Sequence, residues 1–529
     1  MVLCTGFFMI LLDTTIVNIA VPSIIDALQA PLDQILWVLN AYVLVYAVLL
    51  ITAGRLGDIY GQRNMFAAGM VIFVLASAAC GQARDINQLI AARVAQGLGG
   101  ALLAPQTLAI ITSIFPPKGR GVAFGVWGAI AGIAAITGPT LGGLIVTNWS
   151  WRWIFYVNLP IGAVALALTF LIVPDVRPGR GHRLDIPGVA MATAGLFGIV
   201  FGLVEGQRFN WGVITGWLTI PEVIGFGVLL LFAFIIWERY QDEPLIPLSL
   251  FSDRNYAVMN WVGSNVSFTI LGTLIPITIF FQSVLGMSAL AAGLALAPAS
   301  VVSMFLAPLA GRMADRVGGK YILMLGLVFF AAGTGLAALV ASPTSTWSTF
   351  VLPFILLGIG QGCVWAPMAA VAMQNISPQI AGAASGVLNT TRQIGMVIGS
   401  AVTGAVLQNR LESALYEQAL ADSTQLPPDM RQRFIDGVAG AARSGLEVGR
   451  TEGSGSIPLP PGIPPQSVDQ LRQLFHDVFA SAFTSAMQPT LLVSAIVLLV
   501  AAASCAAISH ASSRGEPANV GESKSILGE

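Results

Sequence analysis

Charge is scarce in this sequence. Asp, Glu, Lys and Arg supply 10% of its 529 residues, against about 25% in soluble globular chains. The charge nearly cancels, to a net −1, so no bulk field draws nucleic acid or an acidic partner. Cysteine is sparse too. Cys4, Cys80, Cys363 and Cys505 are scattered through apolar runs, without metal-ligand or redox spacing. They read as small core residues, and no metal site is expected. No P-loop is present, which argues against ATP as the energy source. HExxH and GxSxG are missing as well, which argues against a familiar membrane hydrolase. Neither an enzyme nor a bound cofactor is therefore expected. The first apolar run lacks a basic n-region, which argues against a cleavable signal peptide. Its abrupt start suggests a few further residues upstream.

Apolar residues fill the space that charge leaves. They make up 55% of the chain, and mean hydropathy is +0.79. Runs of roughly 20 apolar residues can each cross a bilayer as a helix. The sequence thus predicts an all-α integral membrane protein with about fourteen transmembrane helices. The expected spans are 3–24, 34–54, 65–82, 88–114, 121–147, 152–173, 186–205, 215–237, 256–281, 290–311, 321–342, 349–373, 382–408 and 487–509. With the N-terminus inside, fourteen Lys and Arg fall in inside loops and tail, and two, Arg84 and Arg208, in short outside loops. That bias places both termini in the cytoplasm.

The loop 409–486 is the one sizeable polar segment. Its IPLPPGIPP (457–465) favours extended chain, and 469–483 reads as an amphipathic helix. A solvated connector is favoured over a binding role.

Two stretches repeat in order. GRLGDIYG (54–61) and GRMADRVG (311–318) share G-R-x-x-D-x-x-G, and GVAFG (121–125) echoes GAASG (382–386). The offsets of 257 and 261 nearly agree. Two related six-helix halves follow, facing each other across a central cavity as in a transporter. The expected divisions are an N-terminal bundle 1–173, a linker 174–255 with two extra helices, a C-terminal bundle 256–509, and a tail 510–529.

Four constellations carry chemistry. Asp13 lies in LLDTTIVNIAVP, where a charge costs about 2.5–3.5 kcal/mol to insert. It reads either as a proton carrier facing a cavity or as a helix–helix hydrogen bond. Arg93, inside the fourth helix, is either its partner or a lock that snorkels or binds carbonyls. In GIAAITGPTLGG (132–143), Gly138 and Gly142 allow close backbone contact, and Pro139 removes a hydrogen bond. This helix is either a sealed, bendable barrier to proton leak or ordinary tight packing. Asp58 and Asp315 stand beside Arg55, Arg63, Arg312 and Arg316. Those charges form either conformational latches or anchors and caps. Arg392 either faces the cavity or pairs with a carbonyl, while Glu205 and Glu222 read as interfacial structure. A drug pocket is apolar and aromatic with few polar groups. Its candidates are Asn18, Tyr42, Tyr46, Trp127, Trp261, Phe280, Gln361 and Trp365.

The chain resembles the major facilitator superfamily, and more narrowly its fourteen-helix drug:proton antiporter branch (EmrB/QacA-type). LDTTIVNIAVP (12–22) matches the branch's first-helix signature, GRLGDIYGQRN (54–64) the superfamily's loop motif, LIAARVAQGLGGA (89–101) the fourth-helix signature, and AITGPTLGG (135–143) the fifth-helix antiporter motif. WRWIFYVNLPIG (151–162) is typical of the branch. Gly57 stands where the loop motif usually has Ala, and Ala134 where the antiporter motif has its first Gly. The resemblance implies a plasma-membrane antiporter in the lipid bilayer. It would export drugs or other amphiphilic or cationic small molecules by alternating access, driven by the proton gradient. Asp13 and Arg93 would couple protons, and Gly138, Pro139, Gly142 and Gly143 would form the antiporter helix. Alternatives are an exporter of one natural product or metabolite, an importer, or a sensor or scaffold without flux. The C-terminal half shows no deep acid, so a neutral or monovalent substrate is expected before a dication.

Overall fold

The computed structural model describes residues 2–508 except 31, 117–118, 176–183, 207, 427–430, 433 and 439–464. Of 32–33, 139, 289, 425 and 465–472 it describes the backbone alone. The tail 510–529, most of the Pro-rich segment and the Pro139 side chain lie outside that description.

The chain is a stack of long helices. We number the membrane-sized ones α1 (Val2–Leu28), α2 (Leu32–Tyr60), α3 (Gln62–Gln82), α4 (Ile86–Ile114), α5 (Arg120–Asn148), α6 (Trp153–Ile172), α7 (Ile186–Glu205) and α8 (Ile220–Glu238). Then come α9 (Arg254–Ile279), α10 (Ala297–Val317), α11 (Gly319–Val340), α12 (Val351–Ala372), α13 (Ala381–Asp422) and α14 (Pro465–Ser504). Among the described residues thirteen helices are long and apolar enough to cross a membrane. The long helix outside that set is α13, whose first half carries Asn389, Thr390, Thr391, Arg392 and Gln393. A polar start of this kind is tolerated where it faces protein instead of lipid.

The expected spans shift at three places. The eighth helix starts at Ile220, not 215, because a small hairpin, β1 (Val213–Thr215) with β2 (Leu218–Thr219), precedes it. Thr219 and Glu222 then close a capping box, which fixes the first turn. Glu222 is structural, as expected. The tenth span is a short helix Ala289–Ala295 followed by α10. The polar loop 409–486 begins and ends as helix. The 42 residues of α13 run about 60 Å at 1.5 Å each, twice a hydrocarbon core. Buried Leu407, Leu411, Leu415 and Ala419 form a four-residue stripe there, which joins Val478 and Phe483 of α14 in one apolar cluster.

Packing follows the internal repeat. In the first half α4 lies on α2 and α3, and α1 lies on α5. In the second half α12 lies on α10 and α11, and α9 lies on α13. The halves meet where α5 crosses α10 and α12, and where α2 and α4 cross α13. The inserted α7 and α8 pair with each other, and α7 rests on α2 and α13. Glu205 corrects an expectation here. It is buried rather than interfacial, and accepts hydrogen bonds from Asn40 at 3.0 Å and Arg208 at 3.2 Å. A buried carboxylate needs such partners, and these dock α7 on α2.

Candidate functional site

The two G-R-x-x-D-x-x-G motifs are not loops. They are the last two turns of α2 and α10, and each ends on its final glycine in a backbone conformation that suits glycine, Gly61 at φ 94° and Gly318 at φ 88°. The helix places each aspartate against the other half. Asp58 accepts from the amides of Gly382 and Ala383, both at 2.7 Å, at the start of α13. Asp315 accepts from the amides of Gly121 and Val122, at 2.9 and 3.2 Å, at the start of α5. A helix N-terminus offers unpaired N–H groups and the positive end of its dipole. The second echo, GVAFG and GAASG, is therefore the receptor for the first.

The expectation of arginine latches needs correction. Among the described residues no ion pair joins Asp58 or Asp315 to Arg55, Arg63, Arg312 or Arg316. Arg312 and Arg316 are exposed. Arg55 is buried, with its Nε lacking a hydrogen-bond partner. Arg63 pairs with Asp175, just past the end of the N-terminal bundle, at 3.2 Å. Fixed amides beat solvated guanidinium groups here because surface ion pairs are screened and cost side-chain entropy.

Glycine lets these ends approach. A Cβ at Gly54 would collide with the Gly382 carbonyl, and one at Gly311 with the Gly121 carbonyl. Gly57, the departure from the usual Ala, faces the Gln106 carboxamide, which fills the space a Cβ would take. Overpacking costs roughly 1–3 kcal/mol, so Gly311→Val should open this latch end by about tenfold in population or more. Spin labels on exposed Tyr60 and Gln379 would report a longer separation in the variant. An unchanged distance would mean the glycine contact does not hold the halves together.

The Asp13–Arg93 pair is present. Arg93 Nη1 lies 2.5 Å from Asp13 Oδ2, and both side chains are at most 2% exposed. Gln96 bridges them, accepting from Arg93 Nη1 and donating to Asp13 Oδ1, each at 2.7 Å. Gln96 also donates to Ser77 Oγ at 2.7 Å, which in turn accepts from Asn158 at 3.1 Å. Arg93 Nε donates to the Val38 carbonyl at 2.9 Å, and its guanidinium lies 4.2 Å from the Tyr42 ring centre. Five helices thus meet on one buried ion pair, which needs such hydrogen bonds to offset desolvation. Arg93 thus both pairs with the acid and donates to a backbone carbonyl. Sequence reasoning missed Gln96, Ser77 and Asn158. Gln96 was legible, since it stands three residues beyond Arg93 on the same helix face.

Two of the antiporter-motif glycines pack on α1 just beyond Asp13 in the chain. A Cβ at Gly138 would collide with Thr15, and one at Gly142 would lie 2.8 Å from Ile16 Cγ1. On its other face α5 passes α10, where a Cβ at Gly125 would lie 2.8 Å from Pro308 Cα and one at Gly132 2.8 Å from the Ser300 carbonyl. Gly143 faces Leu290 of the short helix before α10. Small residues on two faces let one helix touch both α1 and the opposite half. Gly395 and Gly399 do the same for α13 on α9.

The cavity candidates divide. Tyr42 and Tyr46 stack at 6.0 Å between ring centres, with Tyr42 under Arg93. Trp127 of α5 and Trp365 of α12 flank the Arg392 guanidinium at 5.8 and 4.9 Å. Gln361 is half-buried one turn from Trp365, on the same face of α12. Asn18 is exposed on α1 and donates to the Thr14 carbonyl. Trp261 is corrected: it is 53% exposed, and its indole donates to Ser504 at the end of α14. That helix packs on α9, α11 and α13 of its own half, so Trp261 is turned away from the other half. Phe280 is corrected too. It is buried in an aromatic cluster with Phe281 and Phe350.

The sequence profile of the Major Facilitator Superfamily matches residues 3–400. The chain belongs to the major facilitator superfamily. This transporter is 42% identical over 440 residues to an uncharacterized MFS-type transporter of Mycobacterium tuberculosis, covering 81% of this chain and 75% of that one. It is 36% identical over 426 residues to the multidrug resistance protein Stp of the same species, covering 79% and 78%. With the tetracenomycin C resistance and export protein of Streptomyces glaucescens it shares 32% identity over 508 residues, covering 94% and 89%. Its fold matches the crystal structure of the human transporter MFSD10 with a TM-score of 0.57 at 13% identity, over 94% of this chain and 98% of that one. Identity that low speaks to the fold alone.

Proposed function

We propose that this transporter exports drugs from the cell, driven by protons moving inward, with the latch end and both termini in the cytoplasm of a plasma-membrane protein. Two relatives bear the names of resistance proteins, and the Lys and Arg bias supports the orientation. The observation that carries proton coupling is the buried Asp13–Arg93–Gln96 cluster beside the α1–α5 contact. A proton on Asp13 cancels its attraction for Arg93 while Gln96 and the Val38 carbonyl still hold the arginine. The hold on α1 loosens, and α5 feels it through Gly138 and Gly142 on Thr15 and Ile16. The start of α5 is the segment that Asp315 grips. Asp13, α1, α5 and the Asp315 latch thus form one contact chain from proton site to gate. Alternating access is the rocking of one half on the other as the latches make and break.

The test is proton release from energised everted vesicles on addition of drugs from a panel of anionic, neutral and cationic aromatics, ethidium among them. Wild type should dissipate the pH gradient on drug addition, and Asp13→Asn should not. Equal responses would remove Asp13 from coupling. Silence across a broad drug panel would remove the multidrug reading. A second reading, export of one natural product, is favoured by the likeness to the tetracenomycin C exporter along 94% of the chain. It predicts protection against a single compound class in a susceptible host.

A further inference from the structure

Arg93 and Arg392 are both buried cations, and they are treated in opposite ways. Arg93 has an acid, an amide and a carbonyl around it. Arg392 is 7% exposed, and neither its Nε nor its Nη2 has a hydrogen-bond partner among the described residues. No described carboxylate pairs with it. Burying a cation without partners is costly, so an arginine left this way points to a ligand that completes it.

The surroundings say which ligand. Arg392 projects from α13 to where the halves meet, 5.8 Å from the ring centre of Trp127 in α5 and 4.9 Å from that of Trp365 in α12. Tyr46 of α2 lies within electrostatic reach. The Arg392 side chain passes Gly263 of α9, where a Cβ would stand 3.5 Å from Arg392 Cγ. The Trp127 indole N–H also lacks a partner. Three unpaired donors thus belong to two neighbouring side chains that are each less than a tenth exposed. The Nε–H and Nη2–H groups lie along one edge of the guanidinium, a fork whose spacing matches the two oxygens of a carboxylate.

We propose that Arg392 is an anion receptor in the substrate path, taking a carboxylate side-on through Nε and Nη2 while the aromatic body of the same molecule rests against Trp127 and Trp365. The preferred cargo is an amphiphilic aromatic carboxylate, not the cationic drug that the family resemblance suggests. A cation there would face an unpaired guanidinium. The assignment rests on the export reading of the same central path.

Three probes share one ring: pyrenebutyrate, its neutral methyl ester, and pyrenemethylammonium. Their binding to the purified full-length protein in detergent is read by quenching of tryptophan fluorescence. Wild type should bind the carboxylate roughly 10- to 100-fold more tightly than the ester, and the ammonium least. Arg392→Gln should erase that preference and leave ester binding in place, which also shows the variant is folded. Arg392→Lys keeps the charge without the fork and should lose about tenfold. If Arg392→Gln fails to bind the ester, the lysine variant decides by the same ratio.

Equal or tighter binding of ester or ammonium by wild type would overturn the proposal, as would a preference that survives in Arg392→Gln. A fourth probe, hydroxypyrene held at a pH where it is the single-oxygen pyrenolate anion, would overturn the side-on fork if it bound as tightly as the carboxylate. Everted vesicles separate the two levels. Proton release with ethidium but not with pyrenebutyrate would sink the anion receptor alone. Release with no probe of any charge would sink the export reading, while the binding ratios still judge Arg392.

Discussion

Asp13→Leu and Arg93→Leu should each destabilise the protein by about 3–5 kcal/mol, and the double variant should recover most of that loss. Each single change strands a charge in a site at most 2% exposed. The double change strands neither, and leaves Gln96 to pair with Ser77 as it does now. Unfolding in mixed micelles of mild and denaturing detergent would give the three values. None of the variants should couple transport, because the titratable acid or its partner is gone in each. The prediction separates a stability role from a transport role: stability returns in the double variant, and coupling does not. If the double loss merely equals the sum of the single losses, the two charges do not compensate each other.

Asp58→Asn should open the latch end further than Asp315→Asn. A hydrogen bond to a charged group is worth roughly 1.5–3 kcal/mol, which is about a 10- to 100-fold change in the ratio of closed to open. The Asp58 contacts are shorter, 2.7 and 2.7 Å against 2.9 and 3.2 Å. Asp58 is also 1% exposed, whereas Asp315 is only half-buried, so water competes less for it. Distances between spin labels at Tyr60 and Gln379 would rank the variants. The reverse order would mean that burial and bond length do not set the strength of the latches.

Much of the site was legible as position and little of it as partnership. Asp13 and Arg93 stood out because charge in an apolar run is costly, and an internal acid in a membrane helix needs a reason. The repeat marked both pieces of each latch, GRxxDxxG and the later GxxxG. It did not say that each aspartate crosses to the other half, since those contacts join residues 193 to 325 positions apart. Nearby arginines looked like the natural partners because sequence proximity is all a linear reading offers. Trp261 and Phe280 failed for another reason. Both lie on one span, Arg254–Val284, whose apolar residues are spread over all its sides, so periodicity does not tell the face toward the other half from the face toward lipid or the bundle interior. The Thr219–Glu222 box lay in plain view, since a Thr three residues before a Glu ahead of an apolar run marks a helix start.

The two latches are one contact made twice, with donor and acceptor elements exchanged between halves. That is the signature of an isologous interface, in which a two-fold axis forces every contact to occur in duplicate. A homodimer of six-helix chains would carry both grips at equal strength, and any mutation would weaken both together. Joining the halves in one polypeptide removes that obligation. The tighter Asp58 grip and the looser Asp315 grip are what such freedom permits. In the proposed cycle the latches then open in order, with Asp315, at the foot of the helix that packs on α1, letting go first.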